Sequence, residues 1–282
     1  MASPTSHNHD GSDQQTVDSV VMLSDEFLQA LVAEIDNDDI VGITLGGSYV
    51  RGNATPYSDV DLGCFYKDEA SLLPHRFFYR NGLLVSVNTR TVAQVRAALA
   101  RPEQAIFLVA ALQRRVLLDK YGSVGELMRE IAMFRLEPLR QKAREYASTQ
   151  MMLAAELVHK ILSEILRRND LAIAYATASL LSSLTEIVAV QGGVMIKSDS
   201  VYYQQVEEAV GSETAWTRYH RLVAGVDMLP ANVSPVKVRA VAALHLYQET
   251  IGLLRPTMQA EHLAVAEQAM RVFQEAGPRL RL

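Results

Sequence analysis

Two aspartates two residues apart, Asp59 and Asp61, enter the apolar run Leu62 to Phe65. Upstream, the apolar run Ile40 to Leu45 ends in a glycine pair, Gly46 and Gly47, followed by Ser48, Arg51 and Gly52 and then by a polar loop holding Pro56 and Ser58. The order reads as strand, tight turn, helix start, loop, strand. Glycine takes positive φ and lets backbone N–H groups approach a ligand with no Cβ in the way. Ser48 is the candidate N-cap, so the turn offers unpaired N–H donors at a helix start, where negative charge is favoured. Side chains alternate along a strand, so Asp59 and Asp61 leave the same face while Val60 turns to the core. Paired carboxylates beside a phosphate cradle suit a hard ion such as Mg²⁺, or Mn²⁺, that also takes substrate phosphate oxygens. The chemistry is metal-assisted phosphoryl or nucleotidyl transfer. Arg51 suits bidentate contact with phosphate. Ser58 either bonds a phosphate or fixes the turn before Asp59.

The elements that must position these residues can be read from pattern. Residues 1–18 are polar and form a disordered tail, in which His7 and His9 are tail residues. Leu23 to Asp36 carries the apolar stripe of an amphipathic helix that starts near Ser24 or Asp25. After the aspartate strand, the run from Phe77 to Thr89 reads as two strands joined at Asn81-Gly82. Helices follow from Val92 to Leu99 and from Glu103 to Arg114, the second opened by Pro102. Then come a short strand at Val116 to Leu118 and a helix capped by Ser123. Beyond Glu137 the pattern is helical, at about 137–168, 170–191, 201–210, 213–225, 235–254 and 257–276, with Pro256 opening the last. The fold class is α/β, of the α+β kind: a small mixed sheet with helices over residues 19–135, then an all-α bundle over 136–282 that binds an acceptor or dimerises.

The glycine pair, the serine, some ten residues and the D-x-D pair together resemble the signature of the DNA polymerase β-like nucleotidyltransferase superfamily. GGSYVRG…YSDVDL is most similar to its small bacterial branch, which includes the kanamycin-type aminoglycoside nucleotidyltransferases and the minimal nucleotidyltransferases of toxin–antitoxin pairs. The resemblance of fold extends to about residue 135. It implies Asp59 and Asp61 as metal ligands, Gly46, Gly47, Ser48, Arg51 and Ser58 on the nucleotide, Mg²⁺ or Mn²⁺ as cofactor and ATP or another NTP as donor. It also implies an aminoglycoside-like acceptor, and hence antibiotic resistance. The kanamycin-type enzymes carry a third carboxylate in a Val-acid-Val-Asn stretch. Here that stretch is Val85-Ser86-Val87-Asn88, and the acid has become Ser86. Either the protein works with two carboxylates and one ion, or it binds nucleotide without turning it over. An antitoxin-type enzyme that modifies a partner protein is the other alternative.

A transferase also needs a group to take the acceptor's proton. The candidates are Glu156, with Lys160 four residues on and a surface pair as its plainer reading, and Glu186, the only charged residue between Asp170 and Lys197. Glu186 is either paired inside the bundle or aimed into a polar cavity. Tyr202, Tyr203, Trp216, Tyr219 and His220 stack a base or sugar, or more plainly form core. A net charge of −5 gives no basic field for long nucleic acid. It suits a cationic small molecule. The single cysteine, Cys64, excludes an intrachain disulfide and reads as a buried thiol in the cytoplasm. There is no basic-then-apolar leader, and Leu171 to Ile196 contains Glu186 and many hydroxyls, so it reads as a buried helix and not a membrane span. A homodimer is left open.

Overall fold

A computed structural model describes residues 22–229 and 233–277. The expected tail, with His7 and His9, lies outside the described residues, and so does Pro230. The chain divides into two compact units, 1–89 with 113–121 and 90–112 with 122–282. The first carries the sheet. The helices between 92 and 133, grouped by sequence with the sheet domain, cluster instead with the helical unit.

In the first unit, α1 (Asp25–Ile35) starts where the Ser24 hydroxyl accepts a hydrogen bond from the Phe27 N–H at 3.1 Å. It buries Leu28, Leu31 and Ile35. Strand β1 (Ile40–Leu45) leads into the short helix α2 (Gly47–Arg51) and then β2 (Val60–Tyr66). Strands β3 (Arg76–Arg80) and β4 (Leu83–Thr91) form a hairpin, and β5 (Arg115–Asp119) completes a five-stranded sheet of order β3-β4-β2-β1-β5. β1 runs antiparallel to β2 and to β5, and β3 to β4. Asn81 and Gly82 take positive φ, 51° and 80°, between the paired Arg80 and Leu83, which is the two-residue turn the dipeptide announces.

Alternation sorts the faces. Ile43, Leu45, Val60, Leu62, Cys64, Val85 and Val87 join α1 in one apolar cluster. Thr44, Asp61, Gly63 and Ser86, the residues between them, therefore leave the sheet on the opposite face. Burying the branched residues of one face makes the register costly to slip, because a one-residue shift would turn every core side chain outward. The core thus positions the polar face.

The second unit is helical: α3 (Val92–Leu99), α4 (Pro102–Ala105), α5 (Val109–Leu112), α6 (Ser123–Met133), α7 (Arg140–Leu153), α8 (Ala155–Arg167), α9 (Asp170–Gly192), α10 (Tyr202–Val210), α11 (Ala215–Ala224), α12 (Pro235–Leu254) and α13 (Ala260–Ala276). Several expected helices differ. The 137–168 stretch breaks at Ala154 into α7 and α8 after a 3-10 turn at Glu137–Leu139. The 103–114 stretch breaks into α4 and α5. Gly122 in the left-handed region, and not Ser123, is the N-cap of α6. Pro256 sits in a 3-10 turn, and the last helix starts at Ala260. α9 packs against α7, α8, α11 and α12. It is long and apolar enough to cross a bilayer, yet 61% of its apolar window is buried inside the protein, as befits a helix apolar on every side at the centre of a bundle.

Candidate active site

The glycine turn and the aspartate strand are locked together by backbone. The Gly46 N–H donates to the Asp61 carbonyl at 2.8 Å, so the end of β1 is tied to the first acid inside β2. Gly47 has φ +71°, and a Cβ there would stand 2.8 Å from Asp61 Oδ2. Only glycine satisfies both demands, and its bare Cα is what lets the Asp61 side chain pack this closely against the turn. Gly46 is different from expectation: its backbone is extended, and it is itself the N-cap of α2. Ser48 is therefore inside the helix and does not cap it, because the turn closes one residue earlier.

The loop that brings in Asp59 is held by Ser58 and Tyr49. Ser58 Oγ accepts from the Thr55 N–H at 2.9 Å, and the Tyr49 hydroxyl donates to the Ser58 carbonyl at 3.5 Å. The Ser58 hydroxyl thus serves the turn. Burial, and then the charge of Asp59, push the Tyr49 hydroxyl above its ordinary range.

Asp61 is half-buried, and its carboxyl is held above the ordinary carboxylate range. Burial is the main cause and the neighbouring Asp59 charge the second, with Arg114, Arg51 and His75 pulling the other way. The two acids therefore repel each other across a partly dry space. Among the described residues neither side chain has a hydrogen bond or an ion pair. Arg51 Nε is buried and also lacks a partner. A buried donor without an acceptor and two acids that repel each other are what a metal–phosphate group would satisfy, so the residues present fit one. Among the described residues no three His, Cys, Asp or Glu side chains converge on one point, so the pair stands without a third acid.

Where the resemblance places that acid, Ser86 is 3% exposed and its Oγ lies 3.1 Å from His75 Nε2. Sequence reasoning missed His75 and Arg114. Arg114 Nη1 lies 3.4 Å from Thr44 Oγ1, and a Cβ at Gly63 would come within 2.7 Å of Nη1. The guanidinium can come this close to the sheet because Gly63 has no side chain. His75 had a usable signal: the Asn81-Gly82 turn fixes Phe77 opposite Ser86, which brings the chain just before Phe77 alongside.

The two glutamates belong to the helical unit. Glu156 is exposed in the first turn of α8, and Lys160, instead of pairing with it, stands 5.1 Å over the Tyr175 ring. Glu186 is half-buried and accepts a hydrogen bond from the Tyr146 hydroxyl. Burial, that bond and the Glu186 charge push the Tyr146 hydroxyl up. Of the aromatic cluster, Trp216 and His220 are core, Tyr202 and Tyr219 are half-buried and Tyr203 is exposed. His220 is fully buried, stacks on Trp216 at 4.8 Å and meets Tyr203 edge-on, while Trp216 Nε1 donates to Thr250 Oγ1 at 2.9 Å.

Residues 25–117 match the nucleotidyltransferase domain family, a span that takes in the glycine turn, both aspartates, His75, Ser86 and Arg114. This part of the chain is a nucleotidyltransferase-fold domain with a five-stranded sheet, followed by a helical region. Among solved structures, a nucleotidyltransferase-like protein from Exiguobacterium sibiricum 255-15 is similar at 12% identity and a TM-score of 0.47, over 79% of this chain and 74% of that one. None of the curated proteins matches the chain.

Proposed function

We propose, on the premise that residues 25–117 form a nucleotidyltransferase domain, that this protein moves a nucleoside monophosphate from an NTP, ATP by preference, to a hydroxyl of a small molecule. The observation that carries this reading is the unpartnered acid pair against Gly47. Two carboxylates that repel each other, one with a raised pKa, are costly to keep unless a cation is meant to sit between them. Asp59 and Asp61 would hold Mg²⁺ or Mn²⁺, which when bound neutralises charge on the triphosphate. The Gly46-Gly47 turn and Arg51, whose Nε lacks an acceptor, would hold the phosphates. Ser58 then acts through the loop that aims Asp59. The acceptor oxygen bonds to the α-phosphorus, the α–β bridging P–O bond breaks, and pyrophosphate leaves with the electron pair.

A cationic, aminoglycoside-like acceptor in the cytoplasm agrees with the net charge of −5. Glu186 is engaged with Tyr146, which favours a structural role for it over that of a base. A second reading, nucleotide binding without turnover, draws on Ser86 standing where an acid is expected.

Calorimetry with ATP and Mg²⁺, run beside pyrophosphate release over a panel of aminoglycosides and related antibiotics, separates the two. Release that disappears in Asp59→Asn supports transfer. Binding without release over the whole panel supports the second reading, and absence of binding overturns both.

A further inference from the structure

We infer that His75, oriented by Ser86, is the general base that takes the proton of the attacking hydroxyl; this rests on the transferase reading above. Ser86 itself cannot do this work, because a serine hydroxyl has no useful basicity near neutral pH. Yet Ser86 stands on the polar face of the sheet beside the acid pair. It leaves β4 on the face opposite Val85 and Val87, β4 is the neighbour of β2, and Asp61 leaves β2 on that same face. Its buried hydroxyl is engaged by an imidazole, His75 Nε2 at 3.1 Å. The Phe77 ring steadies that imidazole at a centroid distance of 4.5 Å.

In the proposed step His75 is the tautomer in which Nε2 carries the proton. With Nε2–H donating to Ser86 Oγ, Nδ1 carries the lone pair, and among the described residues Nδ1 has no partner. His75 is exposed, so a substrate hydroxyl can reach it. A hydrogen bond on one ring nitrogen that fixes the other as acceptor is the usual way of readying a histidine for proton transfer. His75 is a poor candidate for a third metal ligand, because it does not converge with Asp59 and Asp61 on a common point and pairs with neither. The Asp61 carboxyl feels the histidine together with the charges of Asp59, Arg114 and Arg51. In the step, the acceptor O–H proton passes to Nδ1 as the oxygen bonds to the α-phosphorus and pyrophosphate departs. Ser86 is a positioning residue.

The test is pyrophosphate release from ATP with Mg²⁺ or Mn²⁺, with water and with the aminoglycoside panel as acceptors. Wild type is compared with His75→Gln and His75→Ala, and calorimetry reads ATP affinity separately. Both variants change an exposed side chain, and circular dichroism confirms the fold. The expected result is a fall in kcat of about a hundredfold or more, the usual worth of a general base, with ATP affinity within about twofold of wild type. Added imidazole restores His75→Ala. A wild type that releases pyrophosphate, with variants that match it in rate and pH profile or lose only affinity, overturns the base and leaves the transferase. A wild type that binds ATP and releases nothing overturns both.

Discussion

Asp61 in the sheet unit and Glu207 in the helical unit are both acids drawn partly out of water, and the fold treats them in opposite ways. Glu207 Oε1 lies 2.7 Å from His220 Nδ1, with Arg221 at 3.6 Å from its other oxygen. His220 in turn has its second nitrogen 3.0 Å from Thr185 Oγ1. Glu186 likewise has the Tyr146 hydroxyl. Asp61 has an acid for a neighbour and a glycine where a partner could have been. Buried polar groups are normally satisfied because leaving them unmade costs about 1–3 kcal/mol each. In the helical unit the acids are spent on holding helices together. In the sheet unit a half-buried acid is given no hydrogen-bond partner by the fold, and an acid so left is what a ligand can exploit.

The sharpest way to break the comparison is Asp61→Asn. If Asp61 is a kept cost, removing its charge abolishes function and raises stability together. The sign follows from its raised carboxyl. A folded pKa above the unfolded value of 3.8 means that stability is fully present below 3.8 and is lost as pH rises through the folded pKa, so at neutral pH the charged form is a burden. Pyrophosphate release should fall at least about a hundredfold. The thermal midpoint should rise by about 1–3 °C without metal. A midpoint that falls would mean that Asp61 is held by the fold as Glu207 is, and the contrast between the units would be gone.

The second test uses pH, because the units should respond with opposite sign. Burial pushes the His220 imidazole below its ordinary range, with Glu207 opposing and Arg221 assisting. His245 is lowered by burial too. A folded pKa below the unfolded value near 6.5 means that stability is constant above that pH and is lost as pH falls through the window beneath it, since the unfolded chain takes the proton more readily. Between pH 7.5 and 5.5 the thermal midpoint of wild type should drop by a few degrees, and His220→Gln should flatten the drop. A midpoint that rises on acidification over that range would place His220 charged in the folded state, as a salt bridge to Glu207 and not a neutral hydrogen bond.

Local chemistry was legible and long-range placement was not. The run from Gly46 to Asp61 declares a strand, a turn and a paired-acid strand because each step depends on neighbours in sequence, and the Asn81-Gly82 turn is equally self-contained. Ser48 was misread as the cap, since Gly46 and Ser48 are equally good capping types and only the hydrogen bond from Gly46 to Asp61 decides where the helix begins. The break at Ala154 has no glycine or proline to announce it. His75 and Arg114 stand one residue before β3 and β5, whose positions beside β4 and β1 no periodicity states.

The smallest expected effect tests the alternation on which the whole site depends. Cys64 falls on the core face of β2 with Val60 and Leu62, is 0% exposed, and has its thiol pushed up to about 12, chiefly by burial. A thiol so held has almost no thiolate to react. A thiol reagent such as DTNB should leave the native protein unlabelled over minutes at pH 8 and label it fully in guanidinium. Rapid native labelling would mean that β2 is turned by one residue. Because side chains repeat every second residue, the same slip would carry Asp61 into the apolar cluster and Val60 onto the polar face. The reactivity of one cysteine thus reports on which side of the strand the acids stand, with no substrate needed.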